Sequence, residues 1–193
     1  MVELGEISDS FQYGSSLKSL DSGDVVCLRM GNIQNGEIDW SDLKFAPKDE
    51  DLDKYLLSPN DVLFNRTNSP IHVGKTGIYR GGRPAVFAGY LIRINYQKDK
   101  VLGPYLNCCL NTKEAKDFCS RVKTDGINQS NINAKVLQTF SIPLPPLAEQ
   151  QTIVAEIEAE QALVNANREL ITRFEAKIQT TLSRIWGDES SIS

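Results

Sequence analysis

The chain has 193 residues, of which 40% are hydrophobic and 24% are charged, and its formal net charge is −4. This composition is that of a globular protein whose length allows one or two domains. Without a run of about 18 apolar residues or a secretory leader, we expect a cytoplasmic protein with no membrane-spanning helix. The four cysteines and the single His72 lack the paired spacing of a zinc site and offer no catalytic triad. We therefore expect neither a metal nor a catalytic residue.

Positive charge is concentrated in the middle of the chain. Residues 1–60 contain five Lys or Arg and twelve Asp or Glu, whereas residues 61–146 contain twelve and five. Residues 147–193 are again acidic, with four basic and eight acidic side chains. Because salt screens charges beyond roughly 8–10 Å, a local basic surface can bind phosphates on a chain that is acidic overall. The alternative is that these charges are scattered over the surface.

Short apolar segments separated by turn residues predict strands through most of the first 146 residues. The Asn35-Gly36 pair is suited to a hairpin turn, and the spacing of apolar residues favours a helix over 104–122. The predicted strands are Val25–Met30, Asp61–Phe64, Ala85–Tyr96 and Val136–Leu144. Together these elements predict a strand-rich α+β domain over residues 1–146.

A long helix is predicted after the segment 142–147, whose prolines favour an extended spacer. Residues 148–186 contain no Gly or Pro, and at 1.5 Å per residue they would form a rod of roughly 58 Å. Apolar side chains recur along it at a spacing of seven residues, which is the pattern of a coiled coil. The expected dimerisation residues are Ile157, Val164, Leu170, Ile171, Phe174, Ile178, Leu182 and Ile185. We expect residues 147–193 to pair with a second copy of the chain.

Two polar residues interrupt this apolar stripe. Glu160 and Asn167 occupy positions that face a partner in a heptad repeat, where polar side chains fix the register at a cost in stability. The alternative is a helix that packs lengthwise on its own domain.

Several motifs together resemble the specificity subunits of type I restriction–modification systems. IPLPPLAEQQTIV at 142–154 is similar to the junction between a target-recognition domain and a conserved helix in that family. GINQSNIN at 126–133 is similar to the polar loop before the family's last strand. NDVLFNR at 60–66 resembles its GDIL-x-R segment, with Asn60 where glycine is usual, and Val73-Gly74-Lys75 follows at the family's spacing. The resemblance covers nearly the whole chain.

The resemblance implies a non-catalytic subunit that binds double-stranded DNA. Such subunits carry two recognition domains and two antiparallel helices, and they bind modification subunits that hold S-adenosylmethionine and methylate adenine at N6. A restriction subunit joins some of these complexes. With one recognition domain (1–146) and one coiled-coil helix (147–193), this chain resembles half of a specificity subunit and needs no cofactor of its own. Two copies would present identical surfaces, so the expected target is an interrupted palindrome.

Polar side chains in two loops are the candidate base readers. Arg can form two hydrogen bonds with guanine in the major groove, and Asn or Gln can do so with adenine. The candidates are Arg66, Thr67, Asn68, Asn128, Gln129 and Ser130, with Lys75, Arg80, Arg83 and Lys123 as phosphate contacts. The alternative for the polar residues is ordinary turn chemistry, and we expect such structural roles for Asn131 and Asn133.

Two other functions are compatible with the sequence. The chain could be the C-terminal recognition piece of a fused restriction–methylation enzyme, which the intact mass of the native product would decide. It could instead be a coiled-coil adaptor that binds proteins. Salt separates the adaptor from a DNA reader, because phosphate contacts release counterions and affinity then falls steeply as salt increases.

Overall fold

A computed structural model describes residues 1–48 and 52–186. Contacts divide the chain into two compact units, Met1–Gln151 and Thr152–Ser193, where the sequence led us to expect a boundary after residue 146. Residues 187–193 of the predicted helical segment lie outside the described residues.

The first unit combines many short strands with three helices. The strands are β1 Val2–Glu3, β2 Ser8–Tyr13, β3 Val26–Leu28, β4 Ile33–Gln34, β5 Glu37–Ile38, β6 Asp61–Asn65, β7 Thr67–Asn68, β8 Thr76–Tyr79, β9 Ala85–Phe87, β10 Leu91–Tyr96, β11 Thr124–Asp125, β12 Ser130–Asn131 and β13 Ser141–Ile142. The helices are α1 Gly103–Leu110, α2 Lys113–Val122 and α3 Ala134–Leu137, and α4 spans Leu147–Trp186. Short 3-10 helices lie at Leu4–Glu6, Met30–Asn32 and Leu52–Lys54. The predicted α+β class is confirmed.

A six-stranded sheet with the order β2-β10-β6-β8-β5-β4 forms the centre of this unit. Its neighbouring strands are antiparallel except for β5 and β8, which are parallel. The β4–β5 hairpin turns at Asn35 and Gly36, whose φ angles are 52° and 82°. These angles lie in the left-handed region that Asn and Gly adopt most readily, and the hairpin predicted at this pair is confirmed.

The core lies around β6. Val62, Leu63 and Phe64 are at most 1% exposed, so both faces of the strand are covered, and α1 contacts β6 and β8. Full burial of one such side chain contributes about 1.5–3 kcal/mol. This packing fixes the end of β6, from which the candidate DNA-binding segment with Arg66, Thr67 and Asn68 emerges.

Three smaller sheets complete the unit. β3 pairs in parallel with β9, and β1 pairs antiparallel with β13. β11, β12 and β7 form a three-stranded antiparallel sheet in that order. Only Arg66 separates the end of β6 from the start of β7, so the three-stranded sheet begins directly at the end of a central strand.

Three predicted elements differ from those in the structure. The predicted strand 85–96 is two strands in different sheets, because the chain turns at Gly89, whose amide donates to the Ser15 carbonyl at 2.6 Å. The predicted helix 104–122 is two helices, because the Thr112 hydroxyl accepts from the Ala115 amide at 3.3 Å and caps α2. The predicted strand 136–144 contains the end of α3 and only the short β13.

α4 is a single helix of 40 residues, which confirms the predicted long helix. In its first turn, the buried Gln150 accepts from the Leu102 amide and donates to the carbonyls of Lys100 and Pro145, each at 2.9 Å. These bonds give a structural role to a glutamine of the 142–154 motif. Within the described residues, no helix has the length and apolar character needed to cross a membrane.

Candidate nucleic-acid interface

The two candidate base-reading loops lie side by side. β7 and β12 pair antiparallel, with Asn68 opposite Ser130 and Thr67 opposite Asn131. The two strands are far apart in the sequence, and their pairing places both loops on the three-stranded sheet. The structure thus brings together Arg66, Thr67, Asn68, Asn128, Gln129 and Ser130.

Arg66 links the two loops and is half-buried. Its Nη2 donates to Asn131 Oδ1 at 3.1 Å, and its guanidinium carbon lies 4.9 Å from the centroid of the Tyr13 ring. Asn131 Nδ2 in turn donates to Thr67 Oγ1 at 2.9 Å. Charge-assisted hydrogen bonds and cation–π contacts are both stronger in partly desolvated sites. Arg66 therefore holds β7 against β12, and Asn131 has the structural role expected of it.

The β11–β12 hairpin ends in a tip of four residues, 126–129. The Gly126 amide donates to the Gln129 carbonyl at 2.7 Å and closes this tip. Ile127, Asn128 and Gln129 are all exposed. An exposed two-stranded ribbon has a width that the major groove of DNA admits, so the two amide side chains are placed where base edges could meet them.

A buried hydroxyl and an ion pair support the base of this hairpin. Ser130 is completely buried, and its hydroxyl donates to the Asp125 carboxylate. Lys123 pairs with the same carboxylate. The hydrogen bonds from Lys123 and then Ser130 hold the pKa of Asp125 below its ordinary value of 3.8. Lys123 and Ser130 thus help to determine the shape of this candidate surface.

Lys75 lies at the same end of the central sheet as Arg66. The amide of Asn65 donates to the Lys75 carbonyl at 2.8 Å, and Lys75 Nζ donates to Gln34 Oε1 at 2.8 Å. The loop between β7 and β8 closes at Gly74, which has a φ of 85° and whose Cβ would lie 2.5 Å from Cys119 Sγ. Only glycine suits both this angle and this close approach.

Arg80 and Arg83 lie at the other end of the central sheet. β8 runs antiparallel to β6, so Tyr79 pairs with Asp61 at the end opposite to Arg66. Arg80 forms an ion pair with Glu37 at 3.0 Å, and the Arg83 guanidinium lies 6.0 Å from the Trp40 ring centroid. β8 is four residues long, and strands rise about 3.4 Å per residue. Lys75 and Arg80, which flank β8, are therefore separated by the length of this strand.

A cleft of about 630 Å³ opens beside Arg66. Lys18, Arg29 and Tyr90 line it together with Arg66 and Asn131, and Arg29 pairs with Asp42 at 2.8 Å. Sequence reasoning missed Lys18 and Arg29, because they lie in different segments and neither belongs to a recognisable motif, and it favoured a core position for Tyr90, which is exposed. Only the folded arrangement places their charges and ring beside the β7–β12 pair.

The cysteines and the histidine have no visible role in this interface. Cys119 is buried, which raises the pKa of its thiol to about 11, and His72 is exposed. Across residues 1–48 and 52–186, no group of three His, Cys, Asp or Glu side chains is placed to hold a metal ion.

The second candidate site is the apolar stripe along α4. Seven of the expected dimerisation residues are 41–65% exposed, namely Ile157, Val164, Leu170, Ile171, Phe174, Ile178 and Ile185, and Leu182 is half-buried. Large contiguous apolar patches on a protein surface mark interaction sites. The stripe is therefore a surface suited to another helix.

Comparisons with known proteins identify a family. The chain matches the family model described as type I restriction modification DNA specificity domain over residues 1–175. It is 29% identical over 193 residues to the type I restriction enzyme MjaVIII specificity subunit of Methanocaldococcus jannaschii, covering 94% of this chain and 44% of that protein. It is 27% identical over 167 residues to the EcoKI specificity subunit of Escherichia coli, covering 86% of this chain and 35% of that protein.

A solved structure has the same fold. The HsdS subunit from Thermoanaerobacter tengcongensis superposes with a TM-score of 0.62 at 23% identity, over 95% of this chain and 41% of that one. This chain spans less than half the length of the relatives it matches. The relatives are named as specificity subunits, in agreement with the expected non-catalytic role. Because the family model matches most of its residues, this chain belongs to the type I restriction modification DNA specificity family.

Proposed function

We propose that this chain reads the DNA sequence for a type I restriction–modification methyltransferase. The observation that carries the proposal is the pairing of β7 with β12, which joins two polar loops into one surface. Lysine or arginine side chains and exposed amides occur together on that surface, as phosphate contact and base reading require.

The residues of this surface include exposed side chains and buried ones. Asn128 and Gln129 are exposed on the hairpin tip and can each form two hydrogen bonds with an adenine. Asn68 and Arg66 lie beside them, whereas the buried Thr67 and Ser130 support the surface from below. Lys75 and Lys123, together with Arg80 and Arg83 at the other end of the central sheet, contact phosphates, which fixes the position of the protein on the duplex.

Two copies pair through α4 in this proposal. The exposed apolar stripe repeats every seven residues, and a helix with the same repeat is the partner that matches it. A second copy of the chain supplies that helix and a second reading surface related by a twofold axis. The dimer reads an interrupted palindrome in the cytoplasm and recruits modification subunits, which bind S-adenosylmethionine and methylate adenine at N6.

The test alters the hairpin tip in the intact complex. Replacing Asn128 and Gln129 together by Ala should abolish or relax methylation at the recognised site, because each bidentate base contact is worth about 1–3 kcal/mol. Gln179→Ala, which removes an exposed amide from α4, is the control and should leave the methylated sequence unchanged. Unchanged methylation in the double variant would contradict the placement of the reading surface.

Salt dependence distinguishes this function from that of a protein-binding adaptor. Four phosphate contacts would lower the logarithm of the DNA-binding constant by about 3.6 for each tenfold increase in salt. Binding that is insensitive to salt would favour the adaptor.

A further inference from the structure

The two most exposed large apolar side chains in the described part of the chain are Ile71 and Ile127, at 88% and 101%. Ile71 follows β7 and Ile127 precedes β12. Because Asn68 and Ser130 are paired in antiparallel strands, the segments that carry both isoleucines continue from the same end of the three-stranded sheet. Single exposed apolar residues are common on protein surfaces, so exposure alone assigns no role to either.

Ile127 lies next to two amide side chains and on a turn that hydrogen bonds hold in place. It stands on the 126–129 tip directly before Asn128 and Gln129, and the hydrogen bond from Gly126 to Gln129 at 2.7 Å closes that tip. The Asp125 carboxylate accepts hydrogen bonds from Lys123 and Ser130 and so links β11 to β12 at the base of the tip. The isoleucine is therefore presented on an ordered turn beside two amides.

An A·T base pair displays features in the major groove that match this arrangement. Adenine offers the N7 acceptor and the N6 donor that an Asn or Gln amide can bind with two hydrogen bonds, and thymine offers an apolar C5-methyl group. Successive side chains on a narrow hairpin tip can reach both bases of one pair or of adjacent pairs. G·C pairs display no methyl group in this groove.

We infer that Ile127 is a specificity-determining residue that packs against a thymine methyl group, in an A·T-containing part of the half-site whose adenine is bound by Asn128 or Gln129. This inference rests on the proposed function. It adds a contact with a thymine methyl group to the adenine contacts of the proposed function.

The test removes the methyl group from the DNA and the side chain from the protein. The complete complex of this chain with its modification subunits is titrated with duplexes in which each thymine of the recognised site is replaced singly by deoxyuridine. For the unmodified chain, one replacement should weaken binding about fourfold, the factor for one buried methyl group. Ile127→Ala should bind the thymine duplex about fourfold more weakly than the unmodified chain does. Its affinity should not fall further when that thymine is replaced by deoxyuridine.

The controls separate the inference from protein stability and from the proposed function. Leu56→Ala, which shortens another exposed apolar side chain, should keep the full sensitivity to deoxyuridine, and thermal melting should show both variants folded. The inference is overturned if Ile127→Ala retains that sensitivity, or if no thymine affects the unmodified chain while it still prefers its site over a scrambled duplex. A complex without any preference for the site would overturn the proposed function itself.

Discussion

Asn128 and Asn131 lie close together on one hairpin but have different surroundings. Asn128 is exposed at the tip, whereas Asn131 accepts from Arg66 at 3.1 Å and donates to Thr67 at 2.9 Å. An asparagine with both of its amide groups engaged inside the protein supports the fold, and an exposed one is available to a ligand. Alanine at position 131 therefore tests stability, and alanine at position 128 tests recognition.

Asn131→Ala should lower the free energy of unfolding by about 1–2 kcal/mol, because Arg66 and Thr67 each lose a partner. Asn128→Ala should change it by less than about 0.5 kcal/mol. Denaturant unfolding of both variants measures the difference. An effect of Asn131→Ala below about 0.5 kcal/mol would contradict a stabilising bridge between β7 and β12.

Asp125 gives the hairpin a dependence on pH. Hydrogen bonds from Lys123 and Ser130 lower the pKa of Asp125 from 3.8, so the carboxylate favours the folded hairpin fully at pH values above 3.8. This contribution is lost as the pH falls through the lowered pKa. Carboxyl chemical shifts should therefore titrate below 3.8, and amide protection of Ser130 should decrease over the same range.

Asp125→Asn is the matched variant for this titration. It should remove the acid-dependent change in protection at Ser130, because the amide has no proton to gain in this range. A carboxyl group that titrates at or above 3.8 in the unmodified chain would contradict the hydrogen-bonded base of the hairpin.

The sequence identifies polar residues of the candidate site, but it does not predict which of them are exposed. The Asn and Gln residues of 128–131 are recognisable as polar loop residues. The complete burial of Ser130, by contrast, depends on which face of β12 it occupies, and a two-residue strand has too few positions to show an alternation.

At the scale of elements, local patterns predict well and long-range pairings do not. α4 follows from apolar residues that recur every seven positions in a segment without Gly or Pro, and the Asn35-Gly36 hairpin follows from a turn that its two residues favour. The β7–β12 pair joins segments that are distant in sequence, so no local sequence pattern predicts this pairing. The break between α1 and α2 did have a signal, since Thr112 is a favourable N-cap residue followed by Glu114 in the first turn.

Ile171→Asp should dissociate the proposed dimer. Ile171 is the middle residue of the stripe from Ile157 to Ile185, so in two fully overlapping antiparallel helices it lies close to its twofold-related copy. A carboxylate at this position would be buried without a positively charged partner. It would also face the same carboxylate of the second copy. Sedimentation equilibrium should show a dimer for the unmodified chain and a monomer for this variant.

Ala176→Asp is the control for this charge. Ala176 is exposed and lies roughly 140° around the helix from Ile171 at 3.6 residues per turn, so its carboxylate stays in solvent. The dimer should persist in this variant. A dimeric Ile171→Asp chain, or equal dissociation of both variants, would contradict pairing through the apolar stripe.

At the scale of the whole molecule, charge and symmetry explain how an acidic chain could read DNA. The net charge is −4, but twelve of its 21 Lys and Arg residues lie in 61–146, the segment that contains β7, β12 and both candidate loops. Screening beyond roughly 8–10 Å allows this local surface to act independently of the acidic remainder. Duplication by a twofold axis would place two such surfaces on one duplex.

Methylation-site sequencing tests sequence recognition by this chain most directly. DNA is compared from cells that express the cognate modification subunit with and without the chain. We expect N6-methyladenine at an interrupted palindrome only when the chain is present, whereas methylation at an asymmetric bipartite site would keep the recognition function and contradict the homodimer. If the chain produces no methylation while the same modification subunit is active with another specificity chain, the proposed function is wrong.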